Sequence, residues 1–335
     1  MMPLSLLLAL AAAASPTPRP GPLRTFGDWA AGCDNTGICT LASLAPERGD
    51  PPPVTLALIR QPGPRGGWEV AFDTVGDHAA VRPDAVTIDG RRLALSALSG
   101  PPVDRVVRAI ATGGSLGVLA RGRPVAFLSL AGTAAALRWV DAQQGRASTV
   151  TATVASGPRP ATAVPARPAP PVIHAIRASG TAQSPTTSQV AAMRTRAGCR
   201  DVATATGDLW TPEAHALGRG ATLVLLPCAT GAYNLSSALF VLRGDRVEPA
   251  PVDAPVGFDA TPAAGTDRLP SIVNGRWRDG ELLGDAKGRG LGDCGVRQAL
   301  VWDGARLRLS EQAEMRECRA NPHYIVTWRT RVIRD

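Results

Sequence analysis

Residues 156–190 hold seven prolines, seven alanines and no acidic residue. Proline fixes φ and removes a backbone donor, so neither a helix nor an interior strand survives such a density of it. Pro158 to Pro171 should run as extended polyproline II, at ~3.1 Å per residue spanning about 40–45 Å. A compact domain seldom carries a loop of that kind. The stretch therefore predicts a Pro/Ala-rich linker over 156–190, between an N-terminal β-rich domain over 23–155 and a C-terminal β-rich domain over 191–335. The chain has 335 residues, 44% of them apolar, which suffices for two cores. With 35 Gly and 30 Pro it favours short strands and turns over long helices. The expected fold class is α+β, mostly β: two small disulfide-stapled domains, each with one or two helices.

The formal net charge of +8 suggests nucleic acid until its distribution is examined. Residues 23–155 carry 13 basic and 11 acidic side chains, and residues 191–335 carry 19 and 17. Half of the excess thus lies outside the two domains, and no basic cluster is interleaved with aromatics, so nucleic-acid binding is not expected. No apolar run reaches the ~18 residues of a membrane span. Leu4 to Ala14 has the length and small-apolar character of a secretory h-region, and Ala12-Ala13-Ala14 offers a cleavage site before Ser15. A signal peptide over 1–14 and a proline-rich tail over 15–22 follow as expectations, and with them a periplasmic or secreted location.

Six cysteines fit an oxidising compartment: Cys33, Cys39, Cys199, Cys228, Cys294 and Cys318. If bridges stay within domains, three pairings remain, of which the sequential one is Cys33–Cys39, Cys199–Cys228 and Cys294–Cys318. Zinc-type and redox-type cysteine spacings are absent, and His78, His174, His215 and His323 are scattered, so neither a metal nor another cofactor is expected.

Strands are expected at 54–61, 68–72, 85–88, 92–96, 124–130, 149–154, 223–226, 238–242, 301–302 and 306–309, and 106–112 could be a strand leading into Gly113. Asp89-Gly90, Gly244-Asp245 and Asp303-Gly304 supply hairpin turns. Helices are expected over 133–145, from Ser188 to near Gly198, after the Thr211-Pro212-Glu213 start, and over 311–319 after Ser310.

Four features carry possible chemistry. Gly113-Gly114-Ser115-Leu116-Gly117 fits the G-x-S-x-G elbow of serine hydrolases, with Ser115 the only nominated nucleophile, against a plain glycine-rich turn. Lys287-Gly-Arg289-Gly-Leu-Gly-Asp293-Cys294-Gly295 alternates glycine with charge. It reads either as an anion nest using Lys287, Arg289 and Asp293 or as a glycine-permitted bulged strand entering a disulfide. Asp279, Glu281, Asp285 and Asp293 could collect calcium but lack EF-hand order, which favours solvated turn acids. Seven tryptophans (Trp29, Trp68, Trp139, Trp210, Trp277, Trp302 and Trp328) are core material unless exposed for stacking.

Three stretches resemble a known family: Trp29-x-x-x-Cys33-Asp34-Asn35 with Cys39, Pro227-Cys228-x-x-Gly231-Ala232-Tyr233-Asn234, and Lys287 to Gly295 with Trp302-Asp303-Gly304 and Met315-x-x-Cys318-Arg319. Together they are similar to the exported bacterial six-cysteine proteins of domain-of-unknown-function family 1176. That resemblance implies a bacterial, periplasmic or secreted protein and no assigned activity. Residues 26–155 also faintly resemble the invasion-associated locus B family. The first functional expectation is a non-enzymatic envelope or secreted module that binds a protein or glycan partner. A hydrolase using Ser115 and an anion or small-molecule site at Lys287–Gly295 are the alternatives.

Overall fold

The computed structural model describes residues 18–48, 50–75, 81–94, 102–199, 208–255 and 269–335. The expected signal segment, His78 and the end of the 92–96 strand lie outside them. The first half begins with an antiparallel meander of β1 (Leu23–Phe26), β2 (Trp29–Cys33), β3 (Cys39–Ser43), β4 (Val54–Arg60) and β5 (Trp68–Thr74). A second sheet has the order β7-β6-β8-β9, from β6 (Ala85–Ile88), β7 (Arg91–Ala94), β8 (Leu116–Ala120) and β9 (Arg123–Leu128). Helices α1 (Pro102–Thr112) and α2 (Thr133–Gln143) share its core, where Val103, Val106, Val107 and Ile110 of α1 meet Trp29, Leu41, Leu56 and Leu58 of the meander. Residues 106–112, which a nucleophile elbow at Ser115 would need as a strand, are helical because those apolar residues recur at helical spacing and bury one face.

The second half holds two sheets. One comprises β11 (Glu213–Gly218), β12 (Ala221–Thr230), β13 (Leu235–Arg243) and β14 (Arg246–Pro249), with β16 (Ser271–Val273) also paired to β13. The other runs β15 (Val252–Asp253), β20 (Leu307–Met315), β19 (Gly295–Trp302), β18 (Glu281–Lys287) and β17 (Arg276–Arg278), with β21 (Ile325–Arg329) paired to β20. Leu223, Leu225, Leu239 and Val241 face Leu282, Leu300, Trp302 and Leu307 across the sandwich. Helix α3 (Thr187–Ala197) covers the outer side of the first sheet through Met193. It starts with a Thr186/Gln189 capping box and ends on left-handed Gly198, close to the expected bounds.

Two expected helices are strands. The Thr211-Pro212-Glu213 start opens β11. Residues 311–315 end β20, which is flanked by β19 and β21 and buried along most of its length, and 316–319 follow it outside any helix or strand. Ladder pairing on both sides overrides a cap signal there. The polar residues of β20 bond within the ladder: Gln298 Nε2 donates to Gln312 Oε1 (2.8 Å), and Gln312 Nε2 to Glu314 Oε1 (2.8 Å). Residues 149–154 form turns instead of the expected strand. Asp141 accepts from the Thr153 and Val154 amides at 2.7 and 3.3 Å, which supplies the bonds a ladder would have given. Fully buried Arg146 reaches the Gln144 side chain and the Gln61, Gly63 and Gly66 carbonyls, tying this turn to the loop after β4. Burial, then the Arg146 charge, pushes the neighbouring Arg60 guanidinium down to about 10, which leaves it a cation at neutral pH.

Residues 156–190 carry more structure than their composition announced. Val164 is buried, and the 172–175 stretch is a strand, β10 (Val172–Ala175), paired in parallel with β22 (Arg331–Arg334). The Arg331 amide donates to the Pro171 carbonyl at 2.8 Å.

The halves meet where β21 lies across β2 and β3. Every residue of β2 and β3 is buried: Trp29, Ala31 and Cys33 point into the first core, while Ala30, Ala42 and Leu44 face Ala313, Met315, Tyr324 and Ile325. Small side chains permit this approach. A Cβ on Gly32 would lie 2.8 Å from both Ile325 Cγ2 and Leu23 Cδ1. Polar stitches flank the contact. Arg329 pairs with Asp34, Arg319 pairs with Asp28 and donates to the Ala45 carbonyl (2.7 Å), and Asn321 Nδ2 donates to the Ser43 carbonyl (2.6 Å). His323 sits 2.9 Å from Asp73.

Gly32→Ala should therefore cost about 1–3 kcal/mol by overpacking. Gly67→Ala, where a Cβ meets nothing within 4 Å, should stay within about 0.5 kcal/mol. Denaturant midpoints of the two variants check this.

Candidate functional site

The β18–β19 hairpin ends in the glycine loop 288–294, and each glycine argument there is local. A Cβ on Gly288 would stand 2.8 Å from Cys294 Sγ and 3.3 Å from Cys318 Sγ. Gly295 sits at φ 140°, where a Cβ would overlap the Ala286 carbonyl. The loop thus lies directly on the Cys294–Cys318 disulfide, and the Cys33–Cys39 and Cys199–Cys228 bridges complete the three.

A network of hydrogen bonds fixes the loop. Asn234 pairs reciprocally with the Lys287 backbone, accepting its amide (3.1 Å) and donating to its carbonyl (2.9 Å), as a neighbouring strand would. Asn274 Nδ2 donates to Asn234 Oδ1 (2.9 Å) and to the Asp285 carbonyl (2.8 Å). Tyr233 Oη donates to the Gly288 carbonyl (2.8 Å), and Tyr324 Oη to that of Gly292 (3.2 Å). Arg289 grips Asp293 with two bonds, Nε to Oδ1 (2.8 Å) and Nη2 to Oδ2 (2.6 Å), while the Ala320 amide donates to Oδ2 (2.6 Å). Burial raises the Asp293 carboxyl, but the Arg289 and Ala320 hydrogen bonds outweigh it and hold the group below its ordinary value. Burial pushes the Tyr324 phenol up to about 12, so it stays neutral and donates.

What remains outside is apolar and cationic. Leu291 is 76% exposed and Tyr233 is 40% exposed. Tyr233 lies beside the tip, its Cδ1 3.7 Å from where a Gly290 Cβ would be. The Lys287 side chain runs along Gly292, and the Arg297 guanidinium lies 3.7 Å from the centroid of the Tyr324 ring.

The other sequence-derived candidates are placed apart. Ser115 follows helix α1 and precedes strand β8, an order opposite to the strand–turn–helix of a nucleophile elbow. Its hydroxyl and amide both bond Asp89 Oδ1, at 3.2 and 2.9 Å. His174, His215 and His323 pair with Asp335, Glu213 and Asp73 respectively. The four acids take four different arginines, Asp279 with Arg278, Glu281 with Arg334, Asp285 with Arg297, and Asp293 with Arg289, and Glu281 and Asp285 lie on β18 instead of in turns. Trp29, Trp68 and Trp302 are core residues, and Trp139, Trp210, Trp277 and Trp328 are half-buried. Among the described residues no helix is long and apolar enough to cross a membrane. Arg297, Tyr324 and Asn274 belong to the site although sequence reasoning had not singled them out. Asn274-Gly275 carried a turn signal, whereas Arg297 follows the loop on β19 and Tyr324 reaches it from the residue before β21.

The same residues mark the resemblance. A model of the family described as a protein of unknown function, DUF1176, matches residues 23–331. The chain belongs to this family. It is 28% identical to the uncharacterized protein YpfG of Escherichia coli (strain K12) over 325 residues, 88% of each chain. No solved structure matches it. The fainter likeness of residues 26–155 to the invasion-associated locus B family gains no support from these matches. The stretches that resemble the family map onto stitches: Asp34 and Asn35 hold Arg329, Tyr233 and Asn234 hold the glycine loop, and Asp293 holds Arg289.

Asp293→Ala removes the acceptor of both Arg289 and the Ala320 amide and should cost about 1–3 kcal/mol. Because the folded carboxyl titrates below the ordinary ~3.9, its contribution is full above that value and is lost as pH falls through the lowered one. Stability measured between about pH 5 and pH 2 should therefore fall less steeply in Asp293→Asn than in the natural protein.

Proposed function

We propose that the protein is an exported, non-enzymatic binding module of the bacterial envelope, periplasmic or secreted, and that the 288–294 loop with Tyr233 is its contact surface for an envelope partner. The observation that carries this reading is Leu291, a large apolar side chain 76% exposed at the end of a loop pinned by Asn234, Tyr233, Tyr324 and the Arg289–Asp293 pair. Exposed apolar groups on a fixed frame lose little entropy on association. Tyr, with an apolar body and a committed hydroxyl, is a usual anchor beside them. Three disulfides suit an oxidising compartment, and the Leu4–Ala14 run has the length and small-apolar character of an export signal.

Cross-linking in the producing cell's envelope fraction, followed by capture of the mature protein, tests it. Leu291→Asp should reduce recovery of the recurrent partner at least tenfold, since truncating a central anchor costs ~2 kcal/mol or more. Equal recovery from Leu291→Asp and the natural protein would overturn the assignment of this surface. Circular dichroism of the variant should be unchanged, because the side chain makes no core contact.

A further inference from the structure

The ion pairs around the loop share one asymmetry. In Arg289–Asp293 the arginine side chain is 40% exposed and the carboxylate 7%. In Arg297–Asp285 the figures are 45% and 20%. The carboxylates sit beneath and the guanidiniums face water, so pairs that are neutral on paper present positive charge outward. Lys287, the only lysine of the chain, adds a third cation. The Lys287 side chain runs along Gly292, Tyr324 bonds the Gly292 carbonyl and carries Arg297 on its ring, and the Arg289 guanidinium pairs with the adjacent Asp293. Leu291 immediately precedes Gly292, and Tyr233 lies beside Gly290.

We infer that the partner recognised here is a protein that presents an apolar pocket rimmed by carboxylates, Leu291 entering the pocket while Lys287, Arg289 and Arg297 meet the rim. The inference rests on the binding reading above and names the partner's chemistry. Charge complementarity decides the rim, because guanidiniums backed by buried carboxylates are held in place and keep outward donors free for bidentate contact. The apolar tip decides the class of macromolecule. Leu291, the more exposed of the two apolar groups, has no ring face to stack on a sugar, and Tyr233, which offers one, has committed to Gly288 the hydroxyl that would bond the sugar. A lipid surface is disfavoured because a single leucine buries far less apolar area than the acyl chain that a cationic patch must accompany for stable anchoring.

The test places a photoreactive residue at the tip, Leu291→benzoylphenylalanine. The control is Phe127→benzoylphenylalanine, a position 75% exposed on the first half. Cross-linking is run in envelope fractions of the producing cell. The expected result is a protein adduct from position 291 and not from 127, reduced at least tenfold by Lys287→Glu and by raising salt to about 0.5 M, where screening shortens to a few ångströms. Mass mapping should place the cross-link in an apolar pocket with acidic neighbours. The salt titration leaves the loop sequence otherwise intact, so it stands if Lys287→Glu disturbs the fold. A protein adduct indifferent to both charge reversal and salt would overturn the carboxylate rim and leave the binding surface standing. A lipid or glycan adduct would overturn the protein partner. No adduct from 291 above that from 127 would overturn both this inference and the binding reading.

Discussion

A sheet buried on both faces must find two covers, and the first meander of this protein supplies only one from its own half. Its inner face closes on α1, α2 and the β7-β6-β8-β9 sheet. Its outer face, with Ala30, Ala42 and Leu44, is covered by β20, β21 and Tyr324 from the far end of the chain. Alanine and glycine on that outer face keep the two backbones close, so the contact gains dispersion along its length at the cost of any tolerance for a larger side chain. The seam is consequently a core and not a docking of two finished surfaces.

The polar chemistry follows from that closeness. Two strands that meet face to face cannot share ladder hydrogen bonds, and side chains supply them. Asn35 accepts the Arg329 amide (2.8 Å) and donates to its carbonyl (3.0 Å). Asn234 treats Lys287 in the same way. In both cases an asparagine amide, which has the donor and acceptor of a peptide group, imitates one residue of a strand. Asp34 works at two scales: Oδ1 takes the Thr36 and Ile38 amides, shaping the turn inside the Cys33–Cys39 bridge, and Oδ2 takes Arg329. Cysteine, aspartate and asparagine adjacent in sequence therefore serve one joint.

Much of this was legible in the sequence where the signal is local. The hairpin turns, the 133–145 and 188–198 helices and the mostly β class follow from turn residues, caps and periodicity. The α1 helix was also legible in Val103, Val106, Val107 and Ile110, but the valines invite a strand. What local reasoning missed depends on distant partners. Residues 311–315 carry a helix-start signal and become a strand because β19 and β21 flank them. The 172–175 stretch follows a run of prolines and becomes β10 because β22 lies beside it. The glycine loop could be picked out by composition. The Arg297–Tyr324 stack beside it could not, because Tyr324 reaches the Gly292 carbonyl, and Arg297 the Tyr324 ring, only after the sheet has formed.

The claim that the seam is a core is tested most directly by native-state hydrogen exchange of the Gly32, Thr40 and Val326 amides, with denaturant added below the unfolding transition. If β2, β3 and β21 close one core, these amides exchange with the same free energy, that of global unfolding, and with the same denaturant dependence. If Val326 exchanges through a lower-energy opening while Gly32 and Thr40 stay protected at the global value, β21 is a separable cover and the account of the fold given above is wrong.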